Sequence, residues 1–188
     1  MIITLSGKPG SGKTTVAKIL AEKLGYKFYS TGDLRGKMAM ERGLTIDQLN
    51  EIGAKEDWTD KEVDNYTAGL AKKEDNIIFD SWLAFYFIPK SFKVFLDIDL
   101  KEAAKRVFKD QRPDEEHFDS PDGIEKMLRE RLEQSRQRYL KYYNVDFLDK
   151  SHYDLIVDTT NLSPAEKVVD KILINLKDYE QKKQSSKH

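Results

Sequence analysis

The chain contains no cysteine. That removes disulfides and thiolate metal sites from consideration. No apolar run approaches the ~20 residues a membrane-spanning helix needs. Neither sign of charge is in excess: 32 Lys and Arg face 33 Asp and Glu, for a net charge of −1. No overall field therefore draws nucleic acid or an anionic membrane. The three histidines, His117, His152 and His188, are scattered without metal-ligand spacing and read as surface or loop residues. There is no internal repeat. The sequence opens directly on an apolar strand, so no signal peptide is expected and a cytoplasmic protein is the default. With 188 residues, 39% apolar and 35% charged, the expectation is one soluble domain over residues 1–180 with a sizeable core. A polar tail over 181–188 is expected to be disordered.

One stretch dominates what is present: Gly7-Lys8-Pro9-Gly10-Ser11-Gly12-Lys13-Thr14, followed by Thr15. It fits the spacing G-x-x-x-x-G-K-[ST] of a P-loop. Ile2 to Leu5 reads as a short buried strand before it, and Val16 to Leu24 as a helix after it. The glycines let the backbone curl until successive N–H groups converge on phosphate oxygens, and the helix N-terminus adds favourable partial charge. Lys13 is placed to reach the β- and γ-phosphates and the Thr14 hydroxyl to meet Mg²⁺. The alternative, an ordinary glycine-rich turn, does not account for the strand and helix on either side. ATP with Mg²⁺ is the expected ligand set.

Downstream, Gly25 reads as a C-cap, Tyr26 to Ser30 as a second strand, and Asp33 or Thr31 as the cap of a new helix. From Leu34 to about Lys73 the pattern is helical in pieces. Thr45 and Gln48 form a capping-box pair. Another helix starts at Thr59-Asp60, with Val63, Tyr66, Thr67 and Leu70 on one face. Asn76 to Asp80 is an apolar strand ending in an acid. Asp80 is either the second-shell carboxylate that P-loop sites use for Mg²⁺ or a simple turn cap. Phe92 to Ile98 is a fourth strand, with Asp99 or Asp97 capping the helix from Leu100. The polar segment Gln111 to Gly123 is either a connector or a lid over the nucleotide. Tyr153 to Thr159 is a fifth strand. Ser163, Pro164 and Glu166 then mark a helix start.

The long helix from about Ile124 to Tyr143 carries several arginines. On a 3.6-residue wheel, Arg131 and Arg138 fall with Ile124, Met127, Leu128, Ser135 and Tyr142, while Arg129 and Arg136 point towards solvent. An inward arginine needs an anionic partner. Two partners fit: an internal carboxylate, or a phosphate beside the P-loop, for which guanidinium pairing is well suited. Five strands alternating with helices make a parallel α/β sheet. Gly7, Asp33 and Asp80 then collect at its carboxyl edge.

The P-loop, Ser30-Thr31-Gly32-Asp33, Phe79-Asp80, the charged loop and the arginine-bearing helix together resemble a nucleoside monophosphate kinase. Glu41 to Asn50 and Arg138 to Asp146 resemble archaeal-type cytidylate kinases in particular. The resemblance implies a three-layer P-loop fold with a five-stranded sheet in the order 2-3-1-4-5. It also implies an acceptor-binding insertion around 33–73 and a lid around 106–123. Phosphate would pass from ATP·Mg²⁺ to a small-molecule acceptor, a nucleoside monophosphate, with CMP or dCMP leading. Lys13 and the loop backbone would hold the donor phosphates. Thr14 would hold Mg²⁺ directly and Asp80 through water. Arg106 and Arg112 would close from the lid, and Arg131 and Arg138 would bridge the transferred group. Asp33 would sit at the acceptor. The family pattern implies arginine at Gly36, around Asn65 and Tyr66, and at Trp82. This chain departs from it at each, with Arg35 and Lys37 as candidates to compensate.

Two other readings stand beside that one. The acceptor could be AMP or a non-nucleotide hydroxyl compound. Alternatively the chain could bind ATP with little transfer activity, although it has no guanine-reading Asn-Lys-x-Asp stretch. Nucleic acid and membrane are not expected partners, and a monomer or weak dimer is expected.

Overall fold

The computed structural model describes residues 1–111 and 117–185, apart from the Asp47 side chain. Arg112 and part of the expected lid lie outside the described residues. Five parallel strands form one sheet in the order β2-β3-β1-β4-β5, as the resemblance implied. They are β1 (Ile2–Gly7), β2 (Lys27–Ser30), β3 (Ile77–Asp80), β4 (Phe92–Asp97) and β5 (Leu155–Asp158). The central strands are buried on both faces, which is why they read as apolar runs rather than alternating ones. Ile3, Leu5, Ile78, Val94 and Leu96 pack under α1 (Lys13–Leu24) and α8 (Ala165–Ser185). The opposite face carries Ile77 and Phe79 against α5 (Ala84–Phe87) and Leu70 and Ala71 of α4 (Trp58–Lys73). Each fully buried Leu, Ile or Phe contributes about 1.5–3 kcal/mol.

The insertion between β2 and β3 is three helices, α2 (Thr31–Glu41), α3 (Ile46–Lys55) and α4. Ser30, rather than Asp33 or Thr31, caps α2: its hydroxyl accepts from the Asp33 N–H. Both bonds of the Thr45–Gln48 capping box form at α3. Helix α4 begins at Trp58, one residue before the expected start, and Thr59 and Asp60 of its first turn are buried with Val63 and Thr67. Tyr66, expected on that face, is 49% exposed.

Asp99 caps α6 (Leu100–Lys109) by accepting from the N–H groups of Lys101 and Glu102. Helix α7 (Pro121–Tyr143) packs on α6 through Ile124 and Leu128 against Ala103 and Ala104. Gln111 exchanges two hydrogen bonds with the Phe118 backbone, at 3.0 and 2.8 Å, which brings the two ends of the α6–α7 connection together. Helix α8 runs as far as Ser185, and its polar last turn, residues 181–185, is exposed.

Candidate active site

Parallel register brings the carboxyl ends of the strands to one edge. Leu5 and Ser30 both pair with Asp80, Gly7 with Leu96, and Asp97 with Asp158. The P-loop lies across this edge. Gly7 has φ +146°, and a Cβ there would collide with the Leu96 carbonyl. Gly10 has φ +76°, and its Cβ would come 2.8 Å from that of Ala103. These two positions are closed to side chains on both conformational and steric grounds. Gly12 is the N-cap of α1 and supplies no side-chain cap. The first N–H groups of α1 are therefore left to meet an anion.

Thr14, in the first turn of α1, donates its hydroxyl to Asp80 Oδ2 at 2.5 Å. Asp80 is 7% exposed at the end of β3. A hydroxyl and a carboxylate are the hard oxygen donors Mg²⁺ takes. Such sites use one or two protein oxygens and leave the rest to phosphate and water. Among the described residues no cluster of three or more acidic, histidine or cysteine ligands forms. Lys13 Nζ donates to the Lys8 carbonyl at 3.1 Å across the loop.

Lys8 turns its ammonium away from the loop, to Asp97 Oδ1 at 2.7 Å and the Ile98 carbonyl at 3.2 Å. Lys150 holds the other Asp97 oxygen at 2.6 Å. Burial opposes ionisation of Asp97, yet the ammonium groups of Lys150 and Lys8 keep its carboxyl below the usual carboxylate range. Thr159 ties β5 to the loop, donating to the Asp97 carbonyl at 2.9 Å and lying 3.4 Å from the Ser11 carbonyl. Pro9 and Ser11 are buried, and Thr15 is exposed on α1. Neither Asp97 nor Thr159 was singled out from sequence as a loop support, since only the strand order makes them neighbours of the P-loop.

The arginines are distributed differently from the wheel reading. Arg106 Nη2 donates to the carbonyls of Thr159 and Thr160 at 2.7 and 3.0 Å. It thus sits at the β5 end of the site rather than on a lid. The buried stripe of α7 is Ile124, Leu128, Leu132, Ser135 and Tyr139. Arg131 flanks it and is exposed, a correction to its inward placement. Arg138 takes the internal-carboxylate alternative: its Nε lies 3.1 Å from Asp60 Oδ2, and both side chains are nearly buried. Arg136 is not simply solvated; it holds Asp146 at 2.7 Å.

Arg35, a candidate for the acceptor, is engaged by the protein instead. Nη1 reaches Asp60 Oδ1 at 3.1 Å, Nε reaches Asn50 at 3.0 Å, and Nη2 reaches Thr59 Oγ1 at 3.3 Å. Burial lowers its pKa against the pull of Asp60. Lys37 is exposed, 3.9 Å from Glu41, and Asp33 is exposed in the first turn of α2. Beside this cluster, Tyr143 donates to Asp64 at 2.6 Å. Burial pushes the Asp64 carboxyl up to about 7, with the Tyr143 hydrogen bond pulling the other way. Asp64 went unremarked in the sequence, and Asp60 was read only as part of a helix start. Their signal was there: they fall at the four-residue spacing that puts carboxylates on the inward side of α4 beside Val63 and Thr67.

Of the aromatic stretch after β3, Phe85 is core, Tyr86 is 45% exposed, and Trp82 is half-buried next to the P-loop.

A parallel 2-3-1-4-5 sheet, a P-loop at its carboxyl edge and a Thr14–Asp80 pair beneath the loop define the P-loop kinase class. Solved structures agree on the fold. A shikimate kinase from Bacteroides thetaiotaomicron superposes with TM-score 0.66 at 19% identity, over 94% of this chain and 98% of that one. A shikimate kinase from Aquifex aeolicus gives TM-score 0.60 at 24% identity, over 96% and 98%. Within that class the chain belongs to the cytidylate kinase-like family, whose model matches residues 2–161. It is 38% identical over 166 residues to a cytidylate kinase of Natronomonas pharaonis, covering 87% of this chain and 83% of that protein. It is 36% identical over 177 residues to a cytidylate kinase of Methanobrevibacter smithii, covering 94% and 99%. No described helix is long and apolar enough to cross a membrane.

Proposed function

We propose that this chain transfers the terminal phosphoryl group of ATP, presented with Mg²⁺, to a nucleoside monophosphate, with CMP or dCMP the leading acceptor. The observation that carries the reading is the Thr14–Asp80 pair held under a P-loop that bears Lys13, in a chain of this family. A phosphate oxygen of the acceptor attacks the γ-phosphorus in line, and the bond to the ADP leaving oxygen breaks. The acceptor phosphate is mostly dianionic near neutrality, its second pKa being about 6, so no strong general base is required. The protein's part is positioning and charge neutralisation.

In this reading the backbone N–H groups around Gly10 to Lys13 and the Lys13 ammonium hold the donor phosphates. Thr14 and Asp80 would hold the cation, which would supply charge neutralisation for the phosphates. Arg131, on the exposed edge of α7, meets charge developing on the transferred group, and Arg112 is assigned to closing over the donor from the lid. Arg106 holds the β5 end of the site through Thr159 and Thr160. Arg138 serves the acceptor side indirectly, through Asp60.

One observation favours a second reading. Arg35, one of the two cations that flank Gly36, is bound by Asp60, Asn50 and Thr59. AMP or a non-nucleotide hydroxyl compound would then be the acceptor, or the chain would bind ATP with little transfer. The test is phosphoryl transfer from ATP·Mg²⁺ to CMP, dCMP, UMP, AMP and GMP. Turnover highest on CMP or dCMP supports the cytidylate reading. Turnover highest on AMP, or on none of them with ATP still binding, moves the assignment to the second.

A further inference from the structure

The Trp82 side chain makes two contacts with the P-loop and two with other aromatic rings. Its indole Nε1 donates to the Gly7 carbonyl at 2.8 Å, at the point where β1 ends and the loop begins. The Lys13 ammonium lies 6.0 Å from its ring centroid. The ring also stacks on Phe147, with centroids 5.2 Å apart and planes 22° apart, and meets the edge of Tyr139 on α7. Trp82 is held from behind as well: Ser6 Oγ lies 2.9 Å from the Ser81 carbonyl and 3.2 Å from that of Trp82. Phe147 is fully buried and Tyr139 nearly so, so the indole has little freedom to rotate. Stacked on Phe147 and facing Lys13, the ring is not an open platform for a base.

We propose that Trp82 is a positioning residue for phosphoryl transfer: it anchors the first carbonyl of the P-loop and provides the surface against which the Lys13 ammonium is set. The assignment rests on Lys13 being the donor-phosphate cation. An ammonium over an indole face is attracted by the ring quadrupole and shed of some water. A lysine stem has about 2 kcal/mol of rotamer freedom to lose on ordering, so a surface that narrows its range beforehand favours binding of the phosphates. The chain thereby ties the donor site to α7, since the same indole touches Tyr139, the neighbour of Arg138.

The test is a double-mutant cycle on ATP affinity, read by calorimetry, with Trp82→Leu, Lys13→Met and the double variant. Trp82→Leu should weaken ATP binding about three- to ten-fold in the Lys13 protein, the range of a cation–π contact. In the Lys13→Met protein it should change affinity less than about two-fold, the mark of coupled residues. Trp82→Phe, which keeps a ring but loses the N–H, should recover part of the loss. Equal losses in both backgrounds would show that Trp82 acts through general packing and would overturn the proposal.

A second measurement does not depend on Trp82→Leu folding. The chain has two tryptophans, so Trp58→Phe leaves Trp82 as the sole reporter. In ligand-free protein, adding Lys13→Met should shift its emission, and unchanged emission would also overturn the proposal. If Trp58→Phe gives no binding heat with ATP·Mg²⁺ in the Lys13 protein, the donor-site reading itself fails. Binding without coupling discards the Trp82 role alone.

Discussion

Arg138 Nε stands 3.1 Å from Asp60 Oδ2 while Arg35 Nη1 stands 3.1 Å from Oδ1 of the same carboxylate. One acid of α4 thus joins α2 to α7. The same turn of α7 also reaches α3, where Tyr142 donates to the Gly53 carbonyl at 3.0 Å and Lys141 to that of Ala54 at 3.3 Å. The Arg138–Asp60 contact is an ion pair without hydrogen-bond alignment, as Asp60 Oδ2 and Arg138 Nε each have no hydrogen-bond partner among the described residues. Removing Asp60 strands two guanidiniums that are each 11% exposed. Asp60→Ala is therefore expected to lower stability by about 3–5 kcal/mol, the cost of breaking a buried pair from one side. Urea unfolding measures it. A loss below about 1 kcal/mol, typical of surface pairs, would contradict the role assigned to Asp60.

Asp64 gives the molecule a pH dependence of definite sign. Its carboxyl titrates at about 7 in the folded protein against an ordinary 3.8, first because it is buried. Between those values the folded state holds a proton that the unfolded state has released. The contribution of Asp64 to stability therefore falls as pH rises from about 4 to about 7 and is level beyond, a total on the order of a few kcal/mol. Asp64→Asn should remove this slope. The difference in unfolding free energy between wild type and Asp64→Asn, followed from pH 4 to 8, measures it directly, and a flat difference refutes it. Tyr143→Phe deletes the hydroxyl that pulls the Asp64 pKa down, so the falling limb should extend to higher pH.

Asp80→Asn keeps the size of the side chain and a hydrogen bond to Thr14 but removes the charge. Turnover should fall by about a hundred-fold or more, as for loss of one preorganised electrostatic group. The Mg²⁺ concentration for half-maximal rate should rise, with melting temperature little changed. An unaltered Mg²⁺ dependence would place the cation elsewhere.

Arg131→Ala should lower kcat more than it raises the acceptor KM, because its charge is assigned to the transferring group rather than to the bound acceptor. A change confined to KM would reassign Arg131 to acceptor binding. Being exposed, the position should tolerate the substitution without loss of fold.

The donor half of this protein was written locally. A loop whose backbone must curl around phosphate needs glycine at set positions, and Gly7, Gly10 and Gly12 are within a few residues of Lys13 and Thr14. Strand and helix periodicity around them is equally local, and with five strands alternating with helices the parallel sheet followed. Asp80 was legible for the same reason, as an acid ending an apolar strand. The partners of the arginines were not local. Arg35 and Asp60 are separated by 25 residues, and Lys13 and Trp82 by far more. A helical wheel reports which direction a side chain leaves its own helix, not what stands opposite. The wheel put Arg131 and Arg138 together, but α7 packs with Leu132 and Tyr139 at the centre of its buried stripe, which turns Arg131 out and brings Arg138 to Asp60. Sequence alone determined the P-loop and its place after the first strand. The packing of α2, α4 and α7 decided that Arg35 and Arg138 meet at Asp60, because a buried charge goes to the nearest buried counter-charge, and only the tertiary fold sets that distance.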